Sequence, residues 1–243
     1  MISQSADDYL TAATFFFARS NMSFVIKDMP VQIDAALLEK CQRVETATIG
    51  HRRHLGFVDR RVQSIRPGAR IAGTAVTLAL PGMDSTLLHH IVQFLRPGDV
   101  LVVDRLGDDK HACIGGGVAV AIKASGCSGV VVDGPCTDFP EIEQYDLPVW
   151  CRGTSPITTR LHGVGGSFNV PICCGGAVVM PGDVVVADFS GVVIMPPLEA
   201  PQDVDWALDK AASEPAMHRA MLAGEKLGER SGASRIVAEK GAG

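Results

Sequence analysis

Residues 96–107 read RPGDVLVVDRLG, and residues 180–191 read MPGDVVVADFSG. Each is a Pro-Gly-Asp turn, a short run rich in β-branched residues, and an aspartate where the run ends. Proline presets φ at the second turn position, glycine suits the third, and the aspartate carboxylate can accept backbone N–H groups. A run such as VLVVD, apolar at successive residues and bounded by a turn, is the pattern of a strand covered on both faces. GVVVD at 129–133 repeats it, and VWCR at 149–152 supplies a third run. Between these runs the apolar spacing turns helical. Leu87, Leu88, Ile91, Val92 and Leu95 share one face of a helix predicted over 83–94, and small residues fill another over 118–124. Buried strands interleaved with helices predict an α/β layered domain. The echo fits an internal duplication, or two uses of one favourable turn.

Outward from this centre, RIAGTAVTLAL (70–80) reads as a strand with an internal glycine, and 175–179, 184–187 and 191–195 as three further strands. Ala35, Leu37, Leu38, Cys41 and Val44 recur at helical spacing behind Asp34, which is placed to cap the helix. Residues 8–19 can form a short helix, which Met29-Pro30 prevents from continuing. The basic stretch from His51 to Arg61 reads as a solvated face. After Pro201 the composition is helical, with Trp206, Leu208, Met217, Met221 and Leu222 as packing residues. The expected organisation is an N-terminal extension (1–34), a central domain (35–200) and a helical tail (201–243). The tail is expected to pack on a neighbouring subunit and close the site.

Composition narrows the function. With 22 basic and 27 acidic residues the formal net charge is −5, so no global attraction to nucleic acid exists. Aromatic residues make up 5%, which argues against stacking bases or sugars on flat rings, whereas 26 glycines point to tight turns and close backbone approaches. The seven cysteines are an odd number with no Cys-x-x-Cys pair, so they read as buried thiols in a reducing cytoplasm. Phe15-Phe16-Phe17 is too short an apolar run for an export signal, and no stretch approaches the ~18 apolar residues of a membrane span.

The chemistry is expected between Val103 and Asp138. Gly115-Gly116-Gly117 opens a helix whose free N–H groups, continuing to Val118, can receive a carboxylate or phosphate. Crevices outside the carboxyl ends of α/β strands are where ligands bind. The glycines match neither a Gly-x-Gly-x-x-Gly fingerprint nor a Walker loop, and no Gly-x-Ser-x-Gly elbow or His-Glu-x-x-His is present. Asp138 reads either as a ligand for a hard cation or as the cap of a helix starting at Phe139-Pro140. Asp104, Asp133 and Asp188 read as strand-end turn residues. Arg152 can present a guanidinium to an anion or form a surface ion pair. His89 and His90, mid-helix, are expected to be partly buried.

The ordered blocks GTAVTL (73–78), RPGDVLVVD (96–104), the glycine-rich helix start (115–118), GVVVDG (129–134), Asp138, VWCRGT (149–154) and GGAVVMPGDVVVADFSGVVIMP (175–196) resemble the RraA-like family. That family includes the class II 4-hydroxy-4-methyl-2-oxoglutarate/4-carboxy-4-hydroxy-2-oxoadipate aldolases and the regulator of ribonuclease activity A. The resemblance covers roughly residues 35–200. It implies an α/β/β/α sandwich of the swivelling-domain type, assembled as a homotrimer or homohexamer with sites between subunits. For the aldolases it implies Mg²⁺ or Mn²⁺ held near an acidic residue and an Arg-Asp pair. The substrate carboxylate lies on helix-start amides, and cleavage or decarboxylation passes through a pyruvate-type enolate. Carried onto this sequence, Asp138 is the metal residue, and Thr137 and Asp138 are the catalytic pair. Gly115, Gly116, Gly117, Val118, Thr137 and Arg152 line the substrate. Two positions depart from the pattern: Thr137 stands at the arginine and Gly116 at the acid. Arg105, Lys110, His111 and Arg152 are the cations that could stand in. The resemblance thus implies either a metal-dependent lyase for a small 2-oxo or hydroxy carboxylic acid, or a non-catalytic regulator that keeps the scaffold.

Overall fold

The computed structural model describes residues 24–241. The N-terminal half contains β1 (Phe24–Ile26), α1 (Ala35–Cys41), α2 (Thr46–Gly50), β2 (Gln63–Ser64), β3 (Ile71–Ala79) and α3 (Thr86–Ile91). The centre follows as β4 (Asp99–Asp104), α4 (Gly116–Ala124), β5 (Gly129–Asp133), α5 (Phe139–Gln144) and β6 (Val149–Cys151). Then come β7 (Gly166–Phe168), β8 (Ile172–Cys174), β9 (Ala177–Val179), β10 (Val184–Asp188) and β11 (Gly191–Met195). The tail is α6 (Ala200–Leu222), α7 (Leu227–Ser231) and α8 (Ala233–Lys240). The helix expected over 8–19 lies outside the described residues. The described part of the N-terminal extension opens with a strand, parallel to β7.

Parallel β3, β4, β5 and β6 form the central sheet, the pairing their continuous apolar runs predict. Alternate residues of each strand enter different cores. From β4, Leu101 and Val103 face a core shared with α3, α4 and α5, while Val100 and Val102 face the opposite side. That second core is closed by β8, β9, β10 and β11. Val184 and Val186, with Val193 and Met195, turn from it into a third core with Leu37, Ile49, Ala200 and Val204 of the outer helices. Three cores between four layers make an α/β/β/α sandwich. Each Val or Leu buried in these cores contributes about 1.5–3 kcal/mol.

The two echoed turns have the same construction. Asp99 N donates to the Arg96 carbonyl and Asp183 N to the Met180 carbonyl, each at 3.1 Å. Oδ2 of each aspartate accepts the amide three residues earlier at 2.8 Å. Gly98 and Gly182 occupy φ of 87° and 96°, as the third position of a type II turn requires. The turns lie on opposite edges of β3, launching β4 parallel and β10 antiparallel to it.

Asp34 caps α1 by accepting the Leu37 amide at 2.8 Å. In the basic stretch, Arg52 and Arg53 are not merely solvated: they reach Asp203 at 3.0 and 2.9 Å and tie α6 to α2. The first turns of the tail pack on the chain's own core through Ala200, Val204 and Ala207, and no described residue after Ala207 is buried. Six cysteines are buried and Cys173 is exposed. Among the described residues no helix is long and apolar enough to cross a membrane.

Candidate active site

Helices α4 and α5 start where β4 and β5 end, and a cavity of about 550 Å³ opens between these helix starts and α3. Gly115, Gly116, Gly117, Val118, Thr137 and Asp138 line it. Two backbone contacts set the walls: Thr137 N donates to the Ile114 carbonyl at 2.9 Å, and Ala112 N to the Ile157 carbonyl at 2.8 Å. Helix α4 begins at Gly116, two residues earlier than its apolar spacing predicts, with Gly115 extended at the cap position. The Gly116 amide donates to Asp138 Oδ2 at 3.2 Å. The amides of Gly117 and Val118 have no acceptor among the described residues, so the positive end of α4 faces the cavity.

Asp138 occupies the cap position of α5 without capping it. Its backbone is left-handed, φ 53° and ψ 40°, and its side chain makes no cap hydrogen bond. A non-glycine residue there costs roughly 1–2 kcal/mol. The conformation swings the carboxylate away from α5 and onto Gly116 of α4, while Thr137 Oγ1 donates to Oδ1 at 3.1 Å. The carboxylate is exposed and forms no ion pair among the described residues.

The strand-end aspartates are all engaged by the chain, Asp104 in a local turn as expected, and Asp133 in long-range contacts in place of the expected turn. Asp104 accepts the Leu106 amide at 2.7 Å, and Asp188 accepts Thr46 N and Oγ1 at 2.8 and 2.6 Å. Asp133 pairs with Arg152 Nε and accepts the Gly175 amide at 2.7 Å. Arg152, expected to face the substrate, therefore stays with Asp133, lies 3.5 Å from Asp59, and lines a separate cavity with Arg61 and Phe139. The other cations do not enter the site either. Arg105 is fully buried, reaching the Gly82 and His111 carbonyls, with Nε and Nη1 unpartnered. His111 Nδ1 lies 2.8 Å from Asp108, and Lys110 is exposed outside the cavity. No Lys or Arg lines the cavity among the described residues.

Sequence reasoning underrated α3. His89 and His90 are exposed, not partly buried, and His89 lines the cavity opposite the glycines. The helical period placed both off the apolar face, which was the available signal. Cys113 also lines the cavity, but burial pushes its thiol up to about 11, so it stays protonated at neutral pH and is no nucleophile. Asp84 pins the facing loop, accepting Thr86, His162 and Val164 amides at 2.9, 3.0 and 2.6 Å.

Among the described residues no three His, Cys, Asp or Glu side chains are grouped to cage a metal. A tetrahedral zinc site is therefore not supported. A hard cation such as Mg²⁺ keeps most of its waters and needs only one or two carboxylates plus substrate oxygens. The unpaired Asp138 carboxylate fits that requirement.

A sequence profile of the RraA-like family, described as Aldolase/RraA, matches residues 34–194. The chain belongs to the RraA-like family. A relative from Halalkalibacterium halodurans, named "Putative 4-hydroxy-4-methyl-2-oxoglutarate aldolase", is 32% identical over 66% of this chain and 76% of its own. Among solved structures, Streptomyces coelicolor RraAS2, described as an unusual member of the RNase ES inhibitor RraA protein family, is 30% identical. Its TM-score is 0.68, over 77% of this chain and 99% of that one. RraA from Thermus thermophilis, described as an RNA-processing inhibitor, is 28% identical with a TM-score of 0.54, over 58% and 84%. The RraA-like match ends before α6, so the tail is an addition to the region the family profile covers.

Proposed function

We propose that the protein is a metal-dependent lyase for a small 2-oxo carboxylic acid, cleaving a C–C bond by retro-aldol reaction or decarboxylation. The observation that carries this reading is one cavity holding both an unpaired carboxylate, Asp138, and the unclaimed Gly117 and Val118 amides at a helix start. The amides would receive the substrate carboxylate. Asp138 would hold Mg²⁺ or Mn²⁺, which supplies Lewis-acid polarisation of the 2-oxo group, where the electron pair of the broken bond must be accommodated. Thr137 contributes through its hydroxyl, which fixes Asp138. It cannot give the bidentate grip of an arginine. Two relatives that carry the name "Putative 4-hydroxy-4-methyl-2-oxoglutarate aldolase" support the same class. We further take the working form to be a homotrimer or homohexamer in the cytoplasm, with subunit contacts completing an open site.

The test is direct. Purified protein with Mg²⁺ is expected to release pyruvate from 4-hydroxy-4-methyl-2-oxoglutarate or oxaloacetate, and Asp138→Asn to stop it. No pyruvate from either substrate at any concentration would overturn the reading. A second reading is favoured by one observation, the lack of any Lys or Arg in the cavity lining. It makes the chain a non-catalytic regulator, in line with the name of the Streptomyces coelicolor relative. It requires that Asp138→Asn leave Mn²⁺ binding unchanged.

A further inference from the structure

The two adjacent histidines of α3 have different surroundings. His90 stands edge-on to Phe94, with ring centroids 5.4 Å apart, and lines a separate apolar cavity with Phe24 and Ile26. His89 lines the Asp138 cavity, and its imidazole has no hydrogen-bond or ion-pair partner among the described residues. Its placement is built into the helix. Ser85, His89 and Gln93 follow one another at intervals of four, so they share a face, and all three line the cavity. The start of α3 is held from outside: Ser85 N donates to the Arg160 carbonyl at 2.9 Å, and Asp84 accepts the His162 and Val164 amides of the facing loop. His89 N then closes the first turn on the Ser85 carbonyl at 3.0 Å.

Three titratable side chains line the cavity among the described residues: His89, Cys113 and Asp138. Cys113 keeps its proton, because burial pushes its thiol up. Asp138 is the carboxylate assigned above to the cation. Retro-aldol cleavage needs one group more. A base must take the proton of the hydroxyl on the departing carbon, and an acid must return a proton to the enolate carbon. An imidazole can do both near neutral pH.

We propose that His89 is the proton-transfer residue of this site, taking the substrate hydroxyl proton from the α3 wall and returning it to the enolate. The inference rests on the lyase reading above and deepens it, assigning the acid-base residue and the hydroxyl that it recognises. The neutral imidazole accepts the hydroxyl proton as the bond between the hydroxyl carbon and its methylene neighbour breaks. The hydroxyl carbon leaves as a carbonyl, and the bonding pair becomes the pyruvate enolate. The imidazolium then protonates the enolate carbon, which releases pyruvate and restores the neutral ring. Decarboxylation differs at one point. Oxaloacetate loses carbon dioxide, which has no hydroxyl proton to give up, so the bond breaks without a base and water can protonate the enolate.

That difference supplies the experiment, run on the full-length protein with Mg²⁺. His89→Gln is expected to lower kcat for 4-hydroxy-4-methyl-2-oxoglutarate by roughly 100- to 10,000-fold, the usual range for a general acid-base residue. Its loss on oxaloacetate is expected to be smaller by at least about tenfold, since only the protonation step is affected. In His89→Ala, added imidazole is expected to restore part of the lost cleavage. Melting temperatures check that both variants are folded. Equal losses on the two substrates, or wild-type cleavage in His89→Gln, overturns the proposal and leaves the lyase reading standing. So does a wild-type protein that decarboxylates oxaloacetate but does not cleave the hydroxy acid. A wild-type protein inactive on both substrates overturns the lyase reading, and the role of His89 falls with it.

Discussion

Asp133 and Asp138 are five residues apart in one loop, and they live in opposite electrostatic worlds. Asp133 spends its oxygens on the Arg152 guanidinium and the Gly175 amide. Among the described residues, Asp138 has one amide, one hydroxyl and no cation, and its backbone is left-handed. A carboxylate whose partners are all supplied by the fold has nothing left for a ligand. One held in a strained conformation with lone pairs facing a cavity does. The largest expected effect breaks this contrast on the Asp138 side. Asp138→Asn removes the charge but suits the left-handed backbone, which asparagine tolerates well. Mn²⁺ affinity and pyruvate release are expected to fall on the order of 100-fold or more, while the melting temperature stays level or rises slightly. A matched loss of stability would make Asp138 a structural residue after all.

The same test on Asp133 has the reverse expectation. Asp133→Ala strands Arg152, whose other carboxylate, Asp59, is 3.5 Å away. Both members of the Asp133–Arg152 pair are about one-fifth exposed, so the loss is less than for a fully buried pair. We expect about 2 kcal/mol, or roughly 4–8 °C in melting temperature, with unchanged Mn²⁺ affinity.

How much of this was legible in the sequence follows from where the information resides. VLVVD and GVVVD announce strands because both of their faces are buried, so every residue carries the signal. β7 is three residues long and forms through β1 and β3, far along the chain, so local composition does not mark it, whereas β9 fell within the strand read at 175–179 and pairs with its neighbour β8 across Gly175-Gly176. That the glycines at 115–117 and Asp138 line one cavity was readable, because glycine before a helix and acid after a strand are local chemical facts. Of the two readings of Arg152, the structure shows the ion pair, because a guanidinium goes to the nearest carboxylate, and its partner Asp133 faces it only across the β5–β6 pair.

Asp84 sharpens the contrast through pH. Burial pushes its carboxyl up, but hydrogen bonds from Thr86, His162 and Val164 outweigh burial and hold it below the usual carboxylate range. A group depressed in the folded state stabilises fully above its unfolded pKa of about 3.9, and that contribution is lost as pH falls through the folded value. Asp84→Asn is therefore expected to cost about 1.5 kcal/mol near neutrality and to flatten the decline of stability below about pH 4. Urea melts at pH 7 and pH 3 check both. If the two pH values show the same difference between variant and wild type, Asp84 does not act through its charge.

The smallest expected effect lies at Thr137, where the resemblance calls for an arginine. Its hydroxyl donates to Asp138 Oδ1 at 3.1 Å, and its amide holds the Ile114 carbonyl. Thr137→Val keeps the shape and the backbone bond and removes only the donor. A hydrogen bond to a partly exposed carboxylate is worth about 0.5–1.5 kcal/mol, so Mn²⁺ affinity should fall roughly 2- to 10-fold, with the fold intact. Thr137→Arg asks the complementary question, because the guanidinium would enter a cavity lined by no other Lys or Arg among the described residues. If pyruvate release rises in that variant while Mn²⁺ affinity holds, the cavity is a lyase site short of one cation. If Mn²⁺ affinity collapses instead, the guanidinium has taken Asp138 as its partner, and Asp138 has become a second Asp133.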